Sequence, residues 1–177
     1  MKDKLKKLAF LLRHDKTYDF SDHGYREISD LIENHGYTKE ELIKIVSEDN
    51  KGRYEFSEDK TKIRARQGHS ILVDVELEIR TPPEILYHGT AKRFLKSIKE
   101  KGILKMSRNY VQLSPDYETA RTVGKRHGDE IVLPIMTGKM AQDGITFRLS
   151  RNNVWLVDYI KPDYIKWEDL KFTTTEN

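Results

Sequence analysis

The sequence predicts an α+β protein in two lobes, helices and a hairpin over residues 1–79 and a strand-rich lobe with a mostly antiparallel sheet over 80–177. Three observations carry this reading. Three helical stripes in the first fifty residues give way to a hairpin pattern at 53–66. A proline pair interrupts the chain at Arg80-Thr81-Pro82-Pro83. Beyond it, strand-like runs outnumber helical ones.

Leu5, Leu8, Ala9 and Leu12 fall at helical spacing, so 3–13 reads as an amphipathic helix with its lysines outside and Arg13-His14 at its end. A break through Asp22-His23-Gly24 precedes a second stripe, Ile28, Leu31 and Ile32, stopped by Gly36. Thr38-Lys39-Glu40-Glu41 has capping-box spacing and opens a third helix through Leu42, Ile45 and Val46. From Arg53 the period becomes two. Tyr54 and Phe56 alternate, Ser57-Glu58-Asp59-Lys60 makes a polar turn, and Ile63 lies on the return strand. Three short helices and a small hairpin describe a winged-helix-like lobe. Two prolines cannot continue a helix or a central strand, which puts the boundary after Ile79. The second half reads as a strand at Ile85–His88, a helix at 91–101 ended by Gly102, a strand at Tyr110–Leu113 and a helix at 116–126. Four β-rich runs follow, at 131–136, 145–150, 154–160 and near Tyr164–Trp167.

The chain has no cysteine, which removes disulfides, thiolate metal sites and cysteine nucleophiles and suggests a reducing, cytoplasmic setting. No apolar run approaches the roughly 20 residues a membrane span needs. Lys+Arg 32 against Asp+Glu 29 leaves a net +3, weak for a non-specific DNA coater but compatible with a locally basic cleft. GxGxxG, GxxxxGK, HExxH and paired histidines at metal spacing are all missing.

The chemistry lies in LLRH at 11–14, IRARQGHS at 63–70 and VGKRHG at 123–128, with YHGT at 87–90. Each has a local explanation. Arg13-His14 suits a helix C-terminus, Arg64 and Arg66 suit the solvent face of a strand, and Gly124-Lys125-Arg126-His127-Gly128 suits a glycine-stopped basic helix end. Together they point to an anion, most simply a phosphate, because arginines gathered without a carboxylate repel one another. Gln67-Gly68-His69-Ser70 permits a tight bend with side chains turned toward a ligand. Gly89 allows close backbone approach to a ligand, and Thr90 is placed to cap the next helix. Trp155, Trp167, Tyr159, Tyr164 and Phe147 read as core and sheet residues rather than a base-stacking platform.

Taken in order, LLRH, DHGY, IRARQGHS, LYHGT, GI-x-x-M-x-R, VGKRHG and NNVWLV resemble the RNA 2′-phosphotransferase family of the KptA type, from Leu5 to about Trp167. The resemblance implies a winged-helix lobe joined to a lobe of the ADP-ribosyltransferase fold. In the cleft between them an internal 2′-phosphate is removed from RNA with NAD⁺ as co-substrate. The family's Arg-His-Arg-Arg set falls on Arg13, His14, Arg64 and Arg126. The cofactor side falls on His88, Gly89, Thr90, Gln112, Leu113 and Ser114. Gln112 and Tyr110 stand where relatives commonly have histidine. Val154 is near where protein-modifying relatives carry a catalytic glutamate, and Arg66 stands where the family often has asparagine, making it a possible RNA-backbone contact.

The implied reaction joins a phosphate oxygen to the anomeric carbon of the nicotinamide ribose, releases nicotinamide and forms an RNA–phospho–ADP-ribose intermediate. The ribose 2″-hydroxyl then expels the RNA 2′-hydroxyl and yields ADP-ribose 1″,2″-cyclic phosphate. The arginines would hold the phosphate, and His14 would act in acid–base transfer or as a phosphate ligand. No metal is expected, and the implied partner is a tRNA-like RNA carrying a 2′-phosphate, bound by a monomer, with tRNA splicing as the implied setting. Two rivals stand beside this reading. One is a transferase that ADP-ribosylates nucleic-acid terminal phosphates or a protein. The other is a non-catalytic winged-helix nucleic-acid-binding protein, against which the acidic 39–49 helix, with Glu40, Glu41, Glu48 and Asp49, argues by repelling phosphate.

Overall fold

The computed structural model describes residues 2–21, 23–71 and 75–171. Asp22 and the TTTEN tail, expected to fray, lie outside them. The chain divides into two compact units. The first is Met1–Leu77 with two short later segments, Ser107–Asn109 and Ser150–Asn152. The second is Glu78–Met106, Tyr110–Leu149 and Asn153–Asn177.

The first unit runs α1 (Lys2–Arg13), β1 (Arg26–Glu27), α2 (Ile28–His35), α3 (Lys39–Glu48), β2 (Tyr54–Phe56) and β3 (Lys62–Ala65), with an antiparallel sheet in the order β1-β3-β2. Gly36 ends α2 at φ 76°, a conformation that glycine adopts without a Cβ penalty. Thr38 and Glu41 form both halves of the capping box that starts α3. Of the predicted stripe on α1, Leu8 and Leu12 are buried and Ala9 is partly buried; Leu11 joins them, whereas Leu5 is exposed. Leu8, Leu11 and Leu12 pack with Leu31, Leu42 and Ile63, each such leucine contributing about 1.5–3 kcal/mol by leaving water. A two-residue strand such as β1 has no readable period. It is held by the buried Arg26, which donates to the Leu11 carbonyl (3.0 Å), Asp15 (2.8 Å) and Asp30 (2.7 Å) and stacks 4.0 Å from the Tyr18 ring.

The second unit contains β4 (Glu78–Ile79), β5 (Leu86–Ala91), α4 (Leu95–Lys101), β6 (Ile103–Leu104), β7 (Val111–Leu113), α5 (Tyr117–Lys125), β8 (Glu130–Ile135), α6 (Thr137–Gln142), β9 (Arg148–Leu149), β10 (Trp155–Val157) and β11 (Tyr159–Ile160). All its strand pairs are antiparallel: β4-β9-β10-β7, β5-β8 and β6-β11. The molecule is therefore α+β. Leu86, Leu113, Leu133, Phe147 and Trp155 lie in the core of this unit. The strand expected near Tyr164–Trp167 is instead a pair of 3₁₀ turns, Pro162–Tyr164 and Trp167–Asp169, joined through one bridge from Ile165 to Ile135; Pro162, lacking an N–H, starts the first turn. Nor does Thr90 cap a helix. It lies within β5, and the N-cap of the following 3₁₀ turn is Ala91. No helix among the described residues is long and apolar enough to cross a membrane.

Candidate anion site and cofactor strand

The end of α1 is joined to the strand exit after β3 by backbone. The last carbonyls of a helix lack intrahelical donors, and that of Arg13 accepts from the N–H groups of Ser70 (3.0 Å) and Ile71 (3.3 Å). This brings LLRH against QGHS, with His14 Nδ1 2.8 Å from Ser70 Oγ. A later segment locks the same exit. The His69 carbonyl accepts from the Asn109 N–H (2.8 Å), the Asn109 side-chain amide donates to the Ile71 carbonyl (2.8 Å), and Arg108 donates to the Gly68 carbonyl (3.3 Å).

Gly68 sits at φ +85°, where a side chain is strained. A Cβ there would lie 2.6 Å from Arg108 Nη1 and 3.2 Å from Arg13 Nε. Two guanidinium groups thus flank a glycine beside His14, an arrangement that favours a bound anion. Burial, then Arg108, then Arg13 lower the His14 pKa, so its imidazole is mainly neutral at pH 7 without a ligand. His69 is 3% exposed, its Nε2 is buried without a hydrogen-bond partner, and burial with the surrounding cations lowers its pKa to about 3. His69 lies in the bend that the sequence marks for a ligand, whereas no role for Arg108 is legible there. Arg108 ends the GI-x-x-M-x-R pattern, yet nothing local signals that Ser107–Asn109 packs with the first unit.

Arg64 departs from the expectation of arginines without carboxylate partners, and from that of a solvent-facing strand residue. Its side chain is fully buried. Nε donates to Glu55 (2.8 Å), Nη2 lies 2.7 Å from both Glu55 and Glu76, Nη1 donates to the His23 carbonyl (3.1 Å), and the Tyr25 ring stacks 4.4 Å away. The cause is register. Arg64 pairs with Glu55 directly across β2 and β3, so the buried face carries a cross-strand ion pair. Glu55 also meets Arg66 and Arg151, each at 3.3 Å. Arg66 further donates to the Gly52 carbonyl at 3.0 Å.

Arg126 lies in the second unit, exposed at the C-terminus of α5. In the same unit Tyr87 and Ser114 exchange backbone hydrogen bonds at 2.8 Å, which sets β5 beside the end of β7. His88 Nδ1 lies 3.1 Å from the Gln112 carbonyl. A carbonyl only accepts, so Nδ1 carries the proton and Nε2 is left as an acceptor. Burial lowers the His88 pKa and keeps the ring neutral. His88, Gln112 and Ser114 are half-buried polar residues whose donor and acceptor chemistry fits the ribose hydroxyls and carboxamide of a nicotinamide nucleotide. Gly89, Thr90 and Leu113 are buried and build the strands. At Gly89 the close neighbour is α5: a Cβ would lie 1.7 Å from the Ala120 carbonyl oxygen.

Basic and histidine side chains around a glycine bend, on an α+β chain, supply donors of the kind that suit an anion. The chain belongs to the family described as "RNA 2'-phosphotransferase, Tpt1 / KptA family", whose model matches residues 3–159. It is 46% identical to a protein of Fusobacterium nucleatum over 90% of this chain and 94% of that one. It is 44% identical to one of Flavobacterium johnsoniae (91% and 93%) and 45% identical to one of Acaryochloris marina (89% and 91%). All three bear the name "Probable RNA 2'-phosphotransferase".

Proposed function

We propose that this chain is an NAD⁺-dependent RNA 2′-phosphotransferase, with a winged-helix-like lobe over residues 1–79 and an ADP-ribosyltransferase-like lobe over 80–177. The observation that carries the reading is the bend at Gly68, flanked by the guanidinium groups of Arg13 and Arg108 beside His14. NAD⁺ supplies an ADP-ribosyl group whose transfer to the 2′-phosphate gives an ADP-ribosylated RNA phosphate, resolved by the ribose 2″-hydroxyl into ADP-ribose 1″,2″-cyclic phosphate and 2′-hydroxyl RNA.

Arg13 and Arg108 hold the phosphate by charge-assisted hydrogen bonds, and fixed cations stabilise the charge that grows on phosphoryl oxygens as the RNA oxygen departs. His14 is neutral before binding, and an arriving dianion raises its pKa, so its ring takes up a proton and donates to the phosphate or returns it to the leaving 2′-oxygen. His88 Nε2, Gln112 and Ser114 orient the nicotinamide ribose. The roles of Arg64 and Arg126 rest on the family pattern.

The reading predicts that nicotinamide is released from NAD⁺ only when the RNA carries a 2′-phosphate, one equivalent per phosphate lost. His14→Ala is expected to slow release by roughly 100-fold while the protein stays folded. Nicotinamide release that is indifferent to the 2′-phosphate, or accumulation of a stable ADP-ribosylated end, would instead indicate a transferase acting on terminal phosphates.

A further inference from the structure

The two carboxylates on Arg64 are not equivalent. Glu55 is buried, faces Arg64 across the β2–β3 ladder and also meets Arg66 and Arg151, so its departure would strand charge on both sides of the pair. Glu76 lies outside the strands. Its side chain is 51% exposed, its backbone has φ 59°, and it covers Arg64 Nη2 at 2.7 Å. Glu76 is already half in water, so leaving Arg64 would strand no buried carboxylate, and its left-handed backbone is one that glutamate does not favour.

Building on the function proposed above, we propose that Glu76 is an internal stand-in for the substrate's phosphate, holding Arg64 until a 2′-phosphomonoester displaces it. Guanidinium binds carboxylate and phosphate through the same pair of N–H donors, so the two anions compete for one place. The hydrogen bond from Arg64 lowers the Glu76 pKa and keeps it ionised as a competitor at neutral pH. Around Arg64 three guanidinium groups, those of Arg64, Arg66 and Arg151, face two carboxylates, Glu55 and Glu76; with Glu76 displaced they face one.

The competition sets a threshold that separates two kinds of phosphate in the same RNA. Every nucleotide linkage offers a singly charged diester, whereas a 2′-monoester carries close to two charges at pH 7. A singly charged diester gains little by replacing a singly charged carboxylate already in place. A dianion gains more, so Glu76 makes Arg64 selective for the monoester. Glu76 is in this sense a specificity-determining residue that takes no part in bond making.

The test measures affinity for a matched pair of short RNAs, with and without one internal 2′-phosphate, by fluorescence anisotropy in the absence of NAD⁺. Glu76→Gln and Glu76→Gly are each expected to bind the plain RNA more tightly and to narrow the preference for the 2′-phosphorylated RNA by about three- to fivefold. The glycine variant also removes the strained side chain, so agreement between the two separates lost charge from changed backbone. A preference equal to wild type in both variants, or weaker binding of both RNAs, overturns the stand-in while leaving the enzyme reading intact. A wild-type protein that neither prefers 2′-phosphorylated RNA nor releases nicotinamide with it overturns both.

Discussion

Arg64 is held by two carboxylates, a carbonyl and an aromatic face, so removing it opens a void and takes from the buried Glu55 its nearest cation, leaving Arg66 and Arg151, each at 3.3 Å, to offset the charge. Arg64→Ala is expected to destabilise the protein by about 3–5 kcal/mol in urea unfolding. Unfolding close to that of wild type would show that Arg64 is not the keystone its burial suggests. His69 gives a pH signature. Its folded pKa is lowered to about 3 from an ordinary 6.5, so the unfolded chain binds the extra proton first. The resulting stability is fully present above pH 6.5 and is lost as pH falls toward 3. His69→Asn should flatten that acid slope, and an NMR titration showing an ordinary imidazole pKa for His69 would contradict it. The sequence showed Arg64 as one of two alternating arginines but not its burial, because that depends on Glu55, nine residues earlier, landing opposite it.

The join between α1 and the strand exit depends on a glycine that a side chain would fill with clashes. Gly68→Val should weaken phosphate or RNA binding by displacing the Arg108 and Arg13 guanidinium groups, and a variant that binds as wild type would place the anion elsewhere. In the second unit Gly89 and Gly124 let α5 lie directly on β5. A Cβ on Gly124 would meet the Thr90 carbonyl oxygen at 2.8 Å, and one on Gly89 the Ala120 carbonyl oxygen at 1.7 Å. Gly89→Ala should therefore cost about 3 kcal/mol or more of stability, read as a fall in Tm. The capping box at Thr38, the stop at Gly36 and the hairpin from Tyr54 to Ala65 were all legible, because caps and turns are written locally. The two-residue strands β1, β4 and β6 were not, being too short to show a period, and α6 was hidden by Gly138 in its first turn. At Gly89 the neighbour that excludes a side chain is α5, a packing contact that the sequence alone does not show.

Folding of the first unit draws on sequence far beyond Leu77, since Ser107–Asn109 and Ser150–Asn152 pack with it. A chain ending at Leu77 lacks the Asn109 and Arg108 bonds that lock the strand exit, and it is expected to melt well below the full-length protein. Equal melting temperatures would show that the two inserted segments contribute nothing to this unit. Those segments were the least legible part of the candidate site: a proline pair marks where a chain turns, but no local pattern announces a return to an earlier fold. The ordered set of short motifs compensated, since it depends on the full length of the chain, as the family match over residues 3–159 does. The most direct test of the account follows the phosphorus atom itself. A short RNA with a radiolabelled internal 2′-phosphate is incubated with the protein and NAD⁺, and the products are separated by chromatography. The account predicts that the label leaves the RNA and appears in ADP-ribose 1″,2″-cyclic phosphate. Label recovered as inorganic phosphate, or retained on the RNA after prolonged incubation, would contradict it.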